Sequence, residues 1–276
     1  GRAMAAAAAG PARERPARQA PCLLIPVINR AFAPKLLDLA YLLHDASNPG
    51  TIHPITIVRD ADDIDEAMAG GERLLTECLS HAAAASLAVH PTVRIDVNAA
   101  DGIARAAKEL RASLVIAGWG GARSASARLF GSVMERLIDA CPSRLLFGRI
   151  KQPLNTTRRI LLLLPPLAGQ RNDFDALARD VAHLARQIGA HLRAYLAEGD
   201  GTVRRRFESV ASALPLTIIE RPSPHEARAS LLADVGRDDL LFALGERRLS
   251  PLWTPAVDTF ATLLVSRFPE NNLLLA

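Results

Sequence analysis

Aromatic residues make up only 4% of the 276 residues, which leaves few rings on which the bases of a polynucleotide could stack. The formal charge is only +4, and the arginines are scattered among acidic residues rather than gathered into a stripe, so nucleic acid is not an expected partner. Cysteine is scarce too. Cys22, Cys78 and Cys141 are odd in number, far apart and without a CxxC pair, which argues against a disulfide framework or a cysteine zinc site and fits a reducing compartment. The seven histidines are dispersed with no HxxxH pair, and no metal is expected. No apolar run approaches the ~18 residues of a membrane helix; the run Ile160–Leu164 is stopped by Pro165 and Pro166. The Ala/Pro/Arg lead GRAMAAAAAGPARERPARQAP lacks the apolar region and cleavage pattern of a signal peptide.

Catalytic signatures are missing as well. There is no GxSxG elbow, and Ser132 has no histidine beside it in sequence, so no activated nucleophile is visible. No GxxxxGK[ST] loop occurs, which removes the lysine and magnesium-binding hydroxyl of the usual nucleotide triphosphatases. The acidic cluster DADDIDE is accounted for by a helix start, where carboxylates complement the helix dipole. The chain is therefore expected to bind rather than to catalyse.

What is present is ample apolar material: 49% of residues are hydrophobic and 22% charged, enough for two cores of ordinary size. CLLIPV is a continuous apolar run of strand length, followed by APKLLDLAYLLHD with leucines at helical spacing. The order continues through strand PITIVRD, a long helix to about residue 86, strand TVRIDV, helix NAADGIARAAKELRA, strand SLVIAG, a loop, helix SVMERLIDACP and strand RLLFGRI. Apolar strands without alternation, separated by helices, predict a parallel sheet covered on both faces.

After KQPLNTT the plan restarts. RRILLLLPP repeats the proline-ended first strand, DFDALARDVAHLARQIGA the first helix, HLRAYLA the second strand, and DLLFALG stands where SLVIAG stood. LIDACPSRLLF and LLVSRFPENNLLL close the two halves alike, as helix, proline, polar turn and strand. We expect an internal duplication and an α/β fold of two tandem doubly wound parallel-sheet domains. The divisions are a lead over 1–20, a first domain over 21–151 and a second over 152–276.

The segment GWGGARSASARLFGSV, 118–133, follows a strand and enters a helix. In a doubly wound sheet, ligands bind beyond the carboxyl ends of the strands, and the free amides at a helix start favour an anion. Gly118 and Gly121 would let backbone approach a phosphate or ribose and tolerate positive φ; the Ser132 hydroxyl can cap its helix or donate to a phosphate oxygen. Arg123 and Arg128 add long-range attraction. Each glycine alone is also explained as a turn residue and Ser132 as an N-cap, with no ligand needed.

The spacing Gly118, two residues, Gly121, nine residues, Gly131-Ser132 resembles the nucleotide loop of the universal stress protein family. The order of elements resembles that family in both halves; only the first half has the loop. LLIPVINRAFAPKLLDLAYLL, LFGSVMERLI, PLNTTRRILLLLPP and SRFPENNLLL are together similar to the tandem stress-protein module at the cytoplasmic C-terminus of bacterial sodium/proton antiporters of the monovalent cation:proton antiporter-2 class. The resemblance implies an adenine nucleotide alpha hydrolase-like fold that binds ATP, ADP or AMP and usually dimerises. By it, Gly118, Gly121, Gly131 and Ser132 would line the phosphates and ribose. Val133 would add a backbone donor, Ala117 would border the nucleoside, and Ile57 and Val58 would offer apolar contacts and backbone hydrogen bonds to adenine.

Two departures qualify this. Nucleotide-binding members carry an aspartate right after the first strand, where this chain has Ile28 and Asn29; an amide can hydrogen-bond a ribose hydroxyl but brings no charge for Mg²⁺. In the second half Gly245 follows LLFAL, but ERRLSPLWTPAVDTF has no second glycine in place and no Gly-Ser, so that half is expected to bind no nucleotide and to complete a pseudo-symmetric pairing. The resemblance makes the chain the regulatory domain of an antiporter at the cytoplasmic side of the bacterial inner membrane. Its partners would then be the membrane domain of its own chain and a second copy, with the lead as tether. A free-standing tandem stress protein and a nucleotide-free interaction module remain as alternatives.

Overall fold

The computed structural model describes residues 20–45, 47, 50–59, 63–84, 88–119, 132–199, 201–211, 214–247, 250–252 and 255–276, without the side chains of 132 and 255–258. The first five strands are β1 (Cys22–Pro26), β2 (Thr51–Arg59), β3 (Thr92–Asp96), β4 (Leu114–Gly118) and β5 (Arg144–Arg149). Between them run α1 (Ala33–Leu43), α2 (Ile64–Ala84), α3 (Ala99–Glu109) and α4 (Ser132–Ala140). The second set is β6 (Arg159–Leu163), α5 (Phe174–Ile188), β7 (His191–Ala197), α6 (Gly201–Ala211), β8 (Leu216–Arg221), α7 (Pro224–Asp234), β9 (Asp239–Ala243), α8 (Pro255–Arg267) and β10 (Asn272–Leu275).

The strands are ordered β3-β2-β1-β4-β5-β10-β9-β6-β7-β8 in one ten-stranded sheet. Within each half every pairing is parallel and the order is the same, with the switch point between the first and fourth strands. The halves meet at one antiparallel ladder, in which Leu274 of β10 stands opposite Gly148 of β5. The expected two doubly wound domains are therefore fused edge to edge rather than set side by side. Because the join is antiparallel, the carboxyl edge of one half's strands lies beside the amino edge of the other's.

Strand residues alternate between two apolar layers. Ile25, Ile116, Ile160 and Leu274 enter a layer shared with α1, α2, α5 and α6, and this layer runs unbroken across both halves. Leu24, Val115, Leu161 and Leu273 enter the opposite layer, beneath α3, α4, α7 and α8. Such two-sided burial is why the strands lack polar alternation. At the seam α1 packs on α5, Lys35 Nζ donates to the Ile150 carbonyl at 2.9 Å, and Asn272 Oδ1 accepts from the amides of Lys151 (2.7 Å) and Gln152 (2.9 Å).

β2 begins three residues earlier than its apolar run suggests, because Thr51 to Pro54 pair with β1. Pro54 is tolerated in this inner strand because β3 begins opposite Ile55, so no ladder partner waits for the missing N–H. Glycine has a packing role at Gly102 of α3, where a Cβ would sit 3.0 Å from Ile57 and from the Asp96 Cβ. Among the described residues, the left-handed glycines are Gly189, after α5, and Gly199.

Candidate ligand crevice and its degenerate counterpart

β1 ends before β2 does, and this leaves the last residues of β2 without a neighbour on that side at the carboxyl edge of the first half. The last β1–β2 pair is Pro26 with Ile55, after which the Val27 amide donates to the Ile55 carbonyl at 2.8 Å. In a parallel ladder alternate residues direct their N–H and C=O to the same neighbour. Ile57 therefore faces the side that β1 has vacated. The Val27 carbonyl that would otherwise receive the Ile57 amide accepts the Thr56 hydroxyl instead, at 2.6 Å. Ile57 thus presents a backbone donor and acceptor side by side, without a backbone partner among the described residues.

The side chains around this edge are fixed from behind. Ile57 packs its side chain down on Gly102, and Val58 is buried on the opposite face near Gly71. Asn29 is exposed and makes a turn, its Oδ1 accepting from the Ala31 amide at 2.9 Å, which leaves its amide NH₂ toward solvent. Ile28 is 62% exposed and Val97, at the end of β3, is 78% exposed. At this rim the expected carboxylate is replaced by apolar surface. Next to it Asp96 is pulled in opposite directions: burial raises its carboxyl, but the hydrogen bond and charge of Arg105 and the Val97 amide outweigh that and hold it below the usual range.

Gly118 closes β4, and its place differs in reason from the sequence reading. Its φ is not in the left-handed region. A Cβ there would meet the Phe32 Cβ at 3.3 Å and Leu36 Cδ1 at 3.4 Å, so the missing side chain lets the start of α1 close over the end of β4. Ala117 and Trp119 point the other way, into the layer beneath α3 and α4, where Trp119 is 2% exposed. Val133 is half-buried against that same layer. Ser132 begins α4 with its backbone; its side chain, like Gly121 and Gly131, lies outside the described residues.

The corresponding edge of the second half holds a mainly apolar cavity of about 270 Å³ between Leu164, Pro165, Leu244 and Phe260, with a charged cluster beside it. Arg171, in the β6–α5 loop, donates to the carbonyl of Gly245 just beyond β9 and pairs with Asp173 (3.0 Å) and Glu246 (3.2 Å). Two carboxylates and an arginine thus occupy the ground between the two loops. Burial raises the Asp173 carboxyl, but the hydrogen bond and charge of Arg171 prevail and hold it low, so it stays anionic. The sequence showed the missing glycines of this half; it did not show this cluster, in which Arg171 and Gly245 lie more than seventy residues apart.

Residues 33–147 match the sequence model of the universal stress protein family. The match falls within the first half of the chain. It spans α1 to β5 nearly in full, and the second half repeats its strand order. A universal stress protein from Archaeoglobus fulgidus is 18% identical, with 94% of this chain and 96% of that one covered at a TM-score of 0.60. The cytoplasmic domain of a prokaryotic cation chloride cotransporter is 11% identical, with 92% and 94% covered at a TM-score of 0.59. Both likenesses extend over the two halves and are likenesses of fold. Comparison with curated proteins gives no match.

Among the described residues no three of His, Cys, Asp or Glu gather as a metal site. The three cysteines are buried free thiols, and burial raises each of them away from the reactive thiolate. No described helix is long and apolar enough to cross a membrane.

Proposed function

We propose that the chain is a nucleotide-responsive regulatory module, with one adenine-nucleotide site in its first half and a ligand-free second half. The observation that carries this reading is the contrast between the two crevices. Ile57 offers an open backbone donor–acceptor pair in the first, while the corresponding edge of the second carries the Arg171–Asp173–Glu246 cluster beside a mainly apolar cavity of about 270 Å³ lined by Leu164, Pro165, Leu244 and Phe260. Adenine would lie along Ile57, with the phosphates toward the segment from Gly118 through Gly121 and Gly131 to Ser132. Asn29 would take a ribose hydroxyl. Asn29 brings no charge for Mg²⁺, so binding would not require it.

The further reading is that this module serves the cytoplasmic side of a bacterial cation/proton antiporter, preceded in its chain by the membrane domain and paired with a second copy. It is supported by the stretches similar to that antiporter class and by a fold shared with a cotransporter's cytoplasmic domain. A bound nucleotide would order the loop against α4 and bias the seam between halves, which it can do only through unequal affinity for two arrangements.

Calorimetry with ATP, ADP, AMP and cyclic AMP tests the site. We expect one nucleotide per chain, lost in Gly121→Val and Gly131→Arg with thermal stability kept. Two per chain, or unchanged binding in both variants, overturns the assignment. The gene upstream of Gly1 tests the transporter role, since several apolar spans should be encoded there.

A further inference from the structure

On the sheet edge opposite the Ile57 crevice, a cleft of about 410 Å³ lies between the two halves. One wall is the amino end of the first half's strands and the last turn of α1, with Pro21, Ser113, Leu114 and Leu43; the other is α5. From α5 it takes Ala176, Arg179, Asp180, His183 and Arg186, a spacing that places all of them on one stripe of the helix.

The charges in this cleft are unevenly satisfied. Its two carboxylates are engaged: Asp180 is held by Arg144 of β5 at 2.5 Å, and Asp45 accepts from the Ser47 hydroxyl at 2.6 Å and amide at 2.9 Å. Its two α5 arginines are not. Arg179 and Arg186 are exposed, and neither has an ion-pair partner among the described residues. They stand two helical turns apart, about 10 Å along the axis. Between them His183 sets its Nε2 3.2 Å from the His44 carbonyl, which fixes the ring against the end of α1. The remaining lining, Leu23, Ala182 and Val210, is apolar.

A solvated helix face would explain two free arginines on a convex surface. Here they border a concavity of ligand size whose walls mix polar and apolar residues, and the acids within reach are already spoken for. We propose that this cleft binds a small phosphate-bearing polyanion, with Arg179 and Arg186 each gripping one anionic group and the ligand spanning the seam. Guanidinium forks match phosphate oxygens two at a time, which favours arginine over a diffuse field for this task. The site is independent of the nucleotide crevice and draws on both halves.

Inorganic tripolyphosphate is the probe, titrated calorimetrically into the whole chain at low salt, in the wild type and in Gly131→Arg so that the first crevice cannot contribute. We expect saturable binding of one per chain in both, weakened about tenfold by Arg179→Ala and again by Arg186→Ala, a loss of about 1.4 kcal/mol each. Arg221→Ala, at the far edge of the second half, should leave it unchanged. Both arginines are exposed, so circular dichroism should show the variants folded. Absence of saturable binding, indifference to Arg179 and Arg186, or equal loss in Arg221→Ala overturns the proposal, whatever adenine nucleotides do.

Discussion

Arg171 bonds to the carbonyl of Gly245 across the gap between the first and fourth strands of the second half. The same side chain neutralises Asp173 and Glu246, and it is only 13% exposed. Its removal would leave two half-buried carboxylates facing each other. Arg171→Ala is expected to cost about 2–3 kcal/mol, the penalty for stranding partly buried charged partners. Urea unfolding measures this, and nucleotide stoichiometry should remain one per chain.

Asn29 supplies the second prediction. Its Oδ1 already accepts from the Ala31 amide, so Asn29→Asp keeps the turn while adding a charge at the mouth of the crevice. Nucleotide affinity should then become Mg²⁺-dependent, falling on addition of a chelator, whereas the wild type should be indifferent to it. Equal behaviour of both proteins in calorimetry would show that Asn29 does not face the ligand.

A third prediction concerns the floor of the crevice. A side chain at Gly102 would press on Ile57 and on the Asp96 Cβ at 3.0 Å. Gly102→Val should destabilise by about 1–3 kcal/mol through overpacking, and should weaken nucleotide binding because the backbone of Ile57 must shift. Gly70→Val, where the nearest group is a flexible arginine end at 3.8 Å, is the control.

Acid sensitivity follows from Asp234, at the end of α7. Burial alone would raise its carboxyl, but hydrogen bonds from Tyr195 and Arg193 and the charge of Arg159 prevail and hold it below its ordinary value. A depressed folded pKa contributes stability that is present above the unfolded value of ~3.9 and is lost as pH falls through the lower folded one. Asp234→Asn should therefore lower stability at pH 7 and narrow the gap from wild type as the pH drops through that window. A constant gap across pH would place the effect in packing.

The seam gives the last prediction. Leu274 is fully buried in the layer shared by both halves and lies 3.5 Å from where a Gly148 Cβ would be. Leu274→Ala should cost about 2–5 kcal/mol. Because that apolar layer is continuous, the wild type should melt in a single calorimetric transition, and two separated transitions would contradict the shared core.

The fold was largely legible from order and period: proline-ended apolar strands, helices with leucine spacing, and a repeat of both. The segment from Gly201 to Asp234 was not drawn from the sequence element by element, although Val203, Phe207 and Ala211 at helical spacing mark α6 and the Ser223–Glu226 capping pair marks α7. The antiparallel join escaped because hydrophobic period tells which face a residue serves and not which strand lies beside it. In the crevice, the importance of Gly118 was visible but its cause was not: the contact with Phe32 spans more than eighty residues. Ile57 was legible as a candidate, while the reason its amide is spare depends on where β1 stops.

The β5–β10 ladder lies within a single polypeptide, so dilution cannot separate what it joins. An assembly of two identical chains copies every substitution into both members, whereas here each strand at the join is encoded once. That freedom lets one repeat drift into scaffolding while the other keeps its contacts, and it consumes the β5 edge that an additional copy would otherwise use, so further association must proceed through a different surface.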